Sequence, residues 1–383
     1  MIVCAGEGIV LPEKKIACGC SPGSCCGGYS SSGEENNLSD ESGAGWVTGR
    51  KSTPAGEGLQ VSTNLKSEDI LGTWKARWGI NRHNYKISPG LYCVGEPSDK
   101  SPVLVTASYK MTFDSLRKEL ADFDAWILVL DTKGINVWCA AGKGTFGTGE
   151  IVKRLETTGL SRVVSHRTLI LPQLGAPGVA AHEVSKISGF RVVYGPVRAG
   201  DIKAFVDAGM KATKNMRTVK FPLADRITLI PIELVQFIRP LAIFVAVLAA
   251  LNLLGIKLLR SPIDIIPYMG AVITGCVITP ALLPWIPGRA FALKGWLLGF
   301  LWALLVDVYY LLAATSPISW SMALFYLLIL PPVSSYLALN FTGASTYTSL
   351  SGVKKEIKTW MPMLIGSAAT GAAMFVLGLF FKF

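Results

Sequence analysis

The chain has 383 residues, of which 50% are hydrophobic and only 16% charged, and its formal net charge is +11. Soluble domains average about 25% charged residues, so the composition argues against a wholly soluble protein. No basic stripe interleaved with aromatics is present, which argues against a nucleic-acid binder, whereas excess Lys and Arg suits the cytoplasmic loops of a membrane protein.

The charges are unevenly spread. Most lie in residues 1–226, and residues 232–383 are dominated by Leu, Ile, Ala, Phe, Val and Trp. The N-terminus lacks a basic segment followed by an apolar core, so no secretory signal is expected. A cytoplasmic soluble part is implied, with its cysteines reduced. They then read as metal ligands or reactive groups rather than disulfides.

Residues 1–66 are rich in Gly, Ser, Glu and Asn and are expected to form a disordered tail. Within it, Cys18, Cys20, Cys25 and Cys26 suit a soft metal ion. The alternative is a Cys-rich tail with no dedicated ligand.

From Trp74 the sequence becomes globular. Apolar, β-branched runs predict strands at 102–107, 125–131, 162–165, 168–171 and 191–194. Helical spacing predicts helices at 112–122, 150–157 and 180–187. Asp201 is the expected N-cap, and Gly209 the C-cap, of a further helix. Alternating strands and helices imply a parallel sheet covered on both faces. Ligands of such sheets bind at the carboxyl ends of the strands, where the loops after Val137, Leu171 and Tyr194 are expected to lie.

Five spans are then predicted, at 237–255, 266–286, 295–314, 318–340 and 360–381, each near the roughly 20 residues that cross a bilayer. Placing the soluble part inside puts Lys211, Lys214, Arg217, Lys220, Arg289 and Lys294 among the inside flanks. Only Lys257, Arg260 and Lys382 flank the outside, as the positive-inside rule requires. Asp307, inside the third span, is the residue on which a transport reading rests.

Cys139 lies in Asn136-Val137-Trp138-Cys139-Ala140-Ala141-Gly142-Lys143, read as a strand end running into a helix start. A helix start and the nearby Lys143 favour the thiolate. The opposing reading is a buried, inert cysteine. The following Gly144-Thr145-Phe146-Gly147 lacks phosphate-loop spacing. It reads as a lid, or as backbone that lets a large flat cofactor approach. His83, His166 and His182 have no recognisable orienting partner for a Cys/His hydrolase, and no further ligand stands near Cys139 for zinc. A lone thiolate suits a cofactor that already supplies most of its metal's coordination, such as a corrinoid or haem.

Residues 136–143 resemble the cap-helix signature of the membrane-anchored corrinoid protein of the mercury-methylation pair. The loops 171–179 and 195–199 resemble those of the corrinoid domain of the corrinoid iron–sulfur protein. The resemblance implies an α/β Rossmann-like corrinoid-binding domain over 67–215, a linker over 216–236, and an all-α transmembrane domain of five helices over 237–383, in the cytoplasmic membrane. It implies a cobamide whose cobalt takes Cys139 as lower axial ligand. The methyl group would pass to Hg(II), giving methylmercury, with a methyl-folate-linked donor and a ferredoxin-like partner carrying two 4Fe-4S clusters.

Further roles follow from the same resemblance. Asn136 and Trp138 position the loop, with Ala140 in the same contact, and Lys143 stabilises the thiolate. Gly142, Gly144 and Gly147 admit the corrin ring. Thr145, Gly175, Ala176, Gly178 and Gly195 form the opposite wall or hold the nucleotide tail, against a plain reading as turn residues. Cys18, Cys20, Cys25 and Cys26 would capture Hg(II). A corrinoid carrier serving another acceptor in one-carbon metabolism, and a transporter with a soluble regulatory domain, are the alternatives.

Overall fold

The computed structural model describes residues 41–254, 262–312, 319–344 and 350–381. Two compact units emerge. One is built around a sheet and comprises residues 41–66 with Lys86–Lys211. The other gathers Ser67–Tyr85 with the helices from Ala212 onward. The boundary expected at residue 67 therefore falls differently, because Ser67–Tyr85 cluster with the C-terminal helices.

The sheet has seven strands in the order β1-β2-β3-β5-β4-β6-β7. They are β1 (Val47–Thr53), β2 (Gly56–Val61), β3 (Gly90–Val94), β4 (Val103–Ala107), β5 (Ala125–Leu130), β6 (Thr168–Leu171) and β7 (Arg191–Tyr194). β5, β4, β6 and β7 are neighbours and all run parallel, so their carboxyl ends share one edge. β1 is antiparallel to β2, and β3 is antiparallel to β5. The expected all-parallel sheet is thus a mixed one.

β1 and β2 correct the tail expected to run to residue 66. Val47–Val61 folds as a hairpin in which Leu59 and Val61 are buried. Its polar, outward-facing alternate residues disguised it as low-complexity sequence. Residues 162–165, expected as a strand, form none: Arg162 and Val163 close a short helix, Leu160–Val163, and the next two residues leave it. Gly159, with φ +56°, ends the preceding helix there and starts a new turn.

β3, β4 and β5 are buried at every position, as strands covered on both faces must be. Side chains alternate between the faces. Cys93, Val105 and Leu128 share one core with Ala140, Ile151 and Val184. These come from the helices α3 (Val137–Lys143), α4 (Thr148–Thr158) and α6 (Ala181–Ser188). The other face holds Tyr92, whose ring meets those of Trp46 and Phe113 at centroid distances of 6.0 and 5.3 Å.

Phe113 belongs to α2 (Lys110–Arg117), which carries a buried ion cluster. Asp114 Oδ1 accepts from Lys110 Nζ at 2.5 Å and from Arg117 Nε at 2.7 Å. Arg117 Nη1 also donates to the Ser62 carbonyl at 2.5 Å. One carboxylate thus ties the exit of β2 to the underside of the sheet.

Among the described residues of the helical unit, three helices are long and apolar enough to cross a membrane, within α13 (Phe291–Leu312), α14 (Trp320–Ala344) and α15 (Leu350–Phe381). A fourth counts if Leu223–Ile238 and Pro240–Leu253, bent by 42°, act as one span. Five were expected. The bend falls at Pro240, within α10 (Ile230–Leu253), and proline removes a helical donor and clashes with the turn before it. The second expected span is the shorter apolar helix Ile266–Leu282, which starts against Pro267 and contains a π turn at Thr274–Ile278. At 1.5 Å per residue it falls short of a hydrocarbon core of about 30 Å.

These helices meet through small residues. A Cβ on Gly295 would stand 2.5 Å from Ala338 Cβ, and one on Gly299 would stand 2.8 Å from Pro331 Cα. Ser334 and Ser335 of α14 donate to the carbonyls of Ala271 and Ala292, each at 2.7 Å. Pro332 deprives the Leu328 carbonyl of its helical donor, and Ser367 of α15 supplies one at 2.8 Å. Asp307 lies in α13 with Oδ1 buried and without a hydrogen-bond partner among the described residues.

Candidate functional site at the carboxyl edge of the sheet

After β5 the chain turns through Asp131–Asn136. Lys133 and Gly134 both take positive φ, +56° and +72°. The turn is held from below by two buried hydroxyls. Ser108, just past β4, and Thr132 lie 3.2 Å apart through their Oγ atoms. Thr132 Oγ1 accepts from the Ser108 N–H at 3.2 Å and donates to the Ile135 carbonyl at 2.6 Å. Ser108 Oγ accepts from the Thr132 and Gly134 N–H groups. Glu150 Oε1 accepts from the Asp131 N–H at 2.8 Å and from Arg154 Nη2 at 2.8 Å. Four polar residues thereby fix where the next helix begins.

That helix is α3. Asn136 is its N-cap, and Asn136 Oδ1 accepts from the Cys139 N–H at 3.0 Å. Sequence spacing placed 135–138 at a strand end, but the strand stops at Leu130 and Val137 already opens the helix. Cys139 therefore stands in the first turn. It is partly exposed and disulfide-bonded, so reduction must precede any role as a thiolate. Cys93 behaves differently. It is a free thiol, fully buried in β3 and pushed up to about 11 by burial, which makes it unreactive near neutrality.

The residues expected at the site separate into two sets. Trp138, Cys139 and Thr145 are partly exposed, and Gly142, Lys143 and Gly144 are exposed. They form a rim at the carboxyl edge. Gly144 ends α3 with φ +82°, and a Cβ there would meet nothing within 4 Å. Ala176 and Gly178, partly exposed, lie in the turn Gln173–Gly178 after β6.

Asn136, Ala140, Gly147, Gly175 and Gly195 are buried. Here the glycines serve packing. A Cβ on Gly175 would stand 2.6 Å from the Phe146 ring, and one on Gly147 would stand 2.9 Å from the Gly144 carbonyl. Gly195 donates its N–H to the Leu171 carbonyl at 2.8 Å. Thr148 accepts from the Ala180 N–H at 2.9 Å. The Tyr194 hydroxyl, held above its ordinary pKa by burial, donates to the Val179 carbonyl at 2.7 Å. α3, its following loop and the turn after β6 are thus one interlocked structure.

Cys18, Cys20, Cys25 and Cys26 lie outside the described residues. Among the described residues no three His, Cys, Asp or Glu side chains gather as a metal site. Among the described residues the edge presents the Cys139 sulfur, available once its disulfide is reduced, beside an exposed glycine-bearing rim. That donor set fits a metal brought in by a cofactor with its own equatorial ligands, and not a bare ion. Ser108, Thr132, Glu150 and Arg154 escaped sequence reasoning. Asp131-Thr132-Lys133-Gly134 carries turn-type residues that mark the bend, but nothing local points from Thr132 to Ser108, 24 positions away.

Residues 73–206 match the family model described as CO dehydrogenase/acetyl-CoA synthase delta subunit. The segment is also similar to acetyl-CoA decarbonylase/synthase complex subunit gamma from Methanopyrus kandleri, at 35% identity over 129 residues, 33% of this chain and 27% of the relative. The same subunit of Archaeoglobus fulgidus is 29% identical over 154 residues, 39% of this chain and 32% of the relative. That of Methanothermobacter thermautotrophicus is 30% identical over 123 residues, 32% of this chain and 26% of the relative. The chain spans about a quarter to a third of the length of these relatives.

These matches overturn the resemblance to the mercury-methylation family. The segment that carries residues 136–143 matches acetyl-CoA synthase and decarbonylase/synthase subunits. The short run 136–143 was too narrow a basis for choosing a family, whereas the matches extend over residues 73–206. The matches give no support to methylmercury formation, to Hg(II) as substrate or to thiol capture of Hg(II) by the N-terminal cysteines.

Proposed function

We propose that the sheet unit binds a corrinoid at the carboxyl edge of β4, β5, β6 and β7 and carries a methyl group in one-carbon metabolism. The observation that carries this reading is the placement of Cys139, partly exposed and held in the first turn of α3 beside an exposed glycine-bearing rim, where its sulfur becomes a ligand once its disulfide is reduced. The match over residues 73–206 to subunits of acetyl-CoA decarbonylase/synthase supports it.

The bound corrinoid would supply a cobalt centre able to accept and release a methyl group. The chain's residues do the rest. Asn136 fixes the first turn of α3, and with it the height of the Cys139 sulfur. Ser108 and Thr132 fix the turn that sets where α3 starts. Gly142 and Gly144 keep side chains off the rim, leaving backbone against which a flat macrocycle lies. Lys143 stands exposed at the end of α3, one helical turn beyond Cys139. The buried glycines hold the turn after β6 against α3 and keep the edge from spreading.

The relatives are subunits of a complex, so this chain is proposed to work with other proteins. The electron donor that keeps cobalt reduced is proposed to be a small protein with 4Fe-4S clusters. The apolar helices α13, α14 and α15 are proposed to anchor the chain in the cytoplasmic membrane with the sheet unit inside, on the charge distribution of their flanks.

The test is to purify the full chain anaerobically with reductant and a cobamide, then record cobalt content and the absorption spectrum beside Cys139→Ala. Stoichiometric cobalt with a spectrum that changes on substitution is expected. A wild-type chain that retains no cobalt, or a spectrum identical in the variant, overturns the assignment of Cys139.

A further inference from the structure

Ser67–Arg77, labelled α1, divides along its length. Asp69 and Ala76 are buried. On the opposite side Ile70, Leu71 and Trp74 are 61, 51 and 54% exposed. Trp78, just past the helix end, continues that side, its ring 5.9 Å from that of Trp74. At the helical period these four occupy an arc of about 100°. Lys75 borders the arc on one side and Arg77 on the other. Ile80, two residues on, is 52% exposed. A helix that turns three large apolar residues outward while burying an aspartate has its polarity inverted for a soluble protein.

The neighbours of α1 account for the inversion. The segment Ser67–Tyr85 belongs to the same compact unit as the helices from Ala212 onward. At Gly79 the chain meets the start of α10, where an added Cβ would lie 3.4 Å from Ile232 and 3.3 Å from Val235. α9 (Leu223–Ile227), just before α10, also exposes Leu223 and Ile227. The apolar surface of α1 thus sits in the unit whose other outward surface, including Leu301 and Leu305 of α13, is apolar as well.

We infer that α1 is an interfacial helix that lies on a lipid bilayer. Ile70, Leu71, Trp74 and Trp78 enter the boundary between headgroups and acyl chains, and Lys75 and Arg77 reach the phosphates on either side. Tryptophan favours that depth because its ring is apolar and its N–H is not. Long basic side chains bordering an apolar arc can rise to the phosphate level while their stems stay among hydrocarbon. The inference rests on the reading that α13, α14 and α15 cross the membrane.

The test reconstitutes the full chain into vesicles of phosphatidylcholine and phosphatidylglycerol with p-benzoylphenylalanine at one position at a time. Position 71 reports on α1, position 305 on α13, and position 187, an exposed isoleucine of the sheet unit, on random labelling. After irradiation, lipid adducts are read by mass spectrometry. An adduct at 71 within about twofold of that at 305, with loss of signal at 187, is expected. Strong adduct at 305 with none at 71 overturns the inference and leaves the spans intact. Equal labelling at 71 and 187 also overturns it. No adduct at 305 removes the membrane reading itself, and the inference with it. Phosphatidylcholine vesicles alone separate the two contributions: a fall in the 71 adduct without anionic lipid is the expected sign of Lys75 and Arg77 at phosphate, and an unchanged yield overturns that part.

Discussion

Gly178 lies so close beneath Phe146 that a Cβ at position 178 would stand 2.2 Å from the Phe146 carbonyl oxygen and 2.9 Å from Ala141 Cα. Both neighbours are backbone, so neither can swing aside. Gly178→Ala must therefore push the turn after β6 away from α3. Overpacking of this kind costs about 1–3 kcal/mol. The expected outcome is a lower thermal midpoint together with weaker cobamide retention. A midpoint equal to wild type would show that the two segments separate freely.

Asn136 and Cys139 form the next test. Asn136→Ala removes the cap of α3 and is expected to cost about 1 kcal/mol locally. Asn136→Asp keeps an acceptor for the Cys139 N–H and should restore most of it. Amide exchange at Cys139 is the direct measurement, with a rise of roughly fivefold in the alanine variant. Equal exchange in all three proteins would mean that the side chain does not hold the turn.

Asp114 lies between Lys110 and Arg117, which are both buried, and pairs with each. Asp114→Ala leaves two cations without that carboxylate, and breaking a buried pair costs about 3–5 kcal/mol. We expect the sheet unit to unfold at much lower denaturant, with β1 and β2 losing exchange protection first, because Arg117 also holds the Ser62 carbonyl. A loss under about 1 kcal/mol would place the cluster among screened surface pairs.

Glu41 supplies a pH dependence. Burial raises its carboxyl above the ordinary value of 4.5, while bonds from Ser88 N–H and the Tyr92 hydroxyl pull the other way. A raised folded pKa means that the native state binds its proton more tightly than the unfolded chain. Stability from this group is therefore fully present below 4.5 and is lost as pH rises through the raised value. Wild type measured against Glu41→Gln should become progressively less stable over that window and then level off. A constant difference across pH would remove Glu41 as the source.

The sequence made the centre of the sheet legible and left its margin hidden, for a physical reason. β4 and β5 are apolar at nearly every position because both faces are covered, and such runs stand out. β1 and β2 show one face to solvent and carry Gly, Lys, Ser and Glu, the composition that marked them as tail. β3 is fully buried but lies among Gly, Cys and Tyr residues that break its run. At the site, Asn136 and Cys139 both stood out, but Asn136 was read at a strand end, and its capping of α3 was not legible. Nor was the Ser108–Thr132 clamp, since it exists only once β4 and β5 pair. The glycines 147, 175 and 178 also make room for neighbouring protein atoms, contacts that exist only once the chain has folded. Among the helices, length and hydropathy were readable, but the effect of Pro240 and of the prolines bounding residues 267–287 on continuity was not.

The contacts among α11 (Ile266–Ile273), α13, α14 and α15 have a practical consequence. Serine hydroxyls there satisfy carbonyls of neighbouring helices, and glycines let backbones touch. Cohesion of this kind comes from contacts within the protein and needs no particular lipid. Mild detergent should consequently lift the four helices out as one solubilised particle, with their mutual arrangement preserved after the surrounding bilayer is gone.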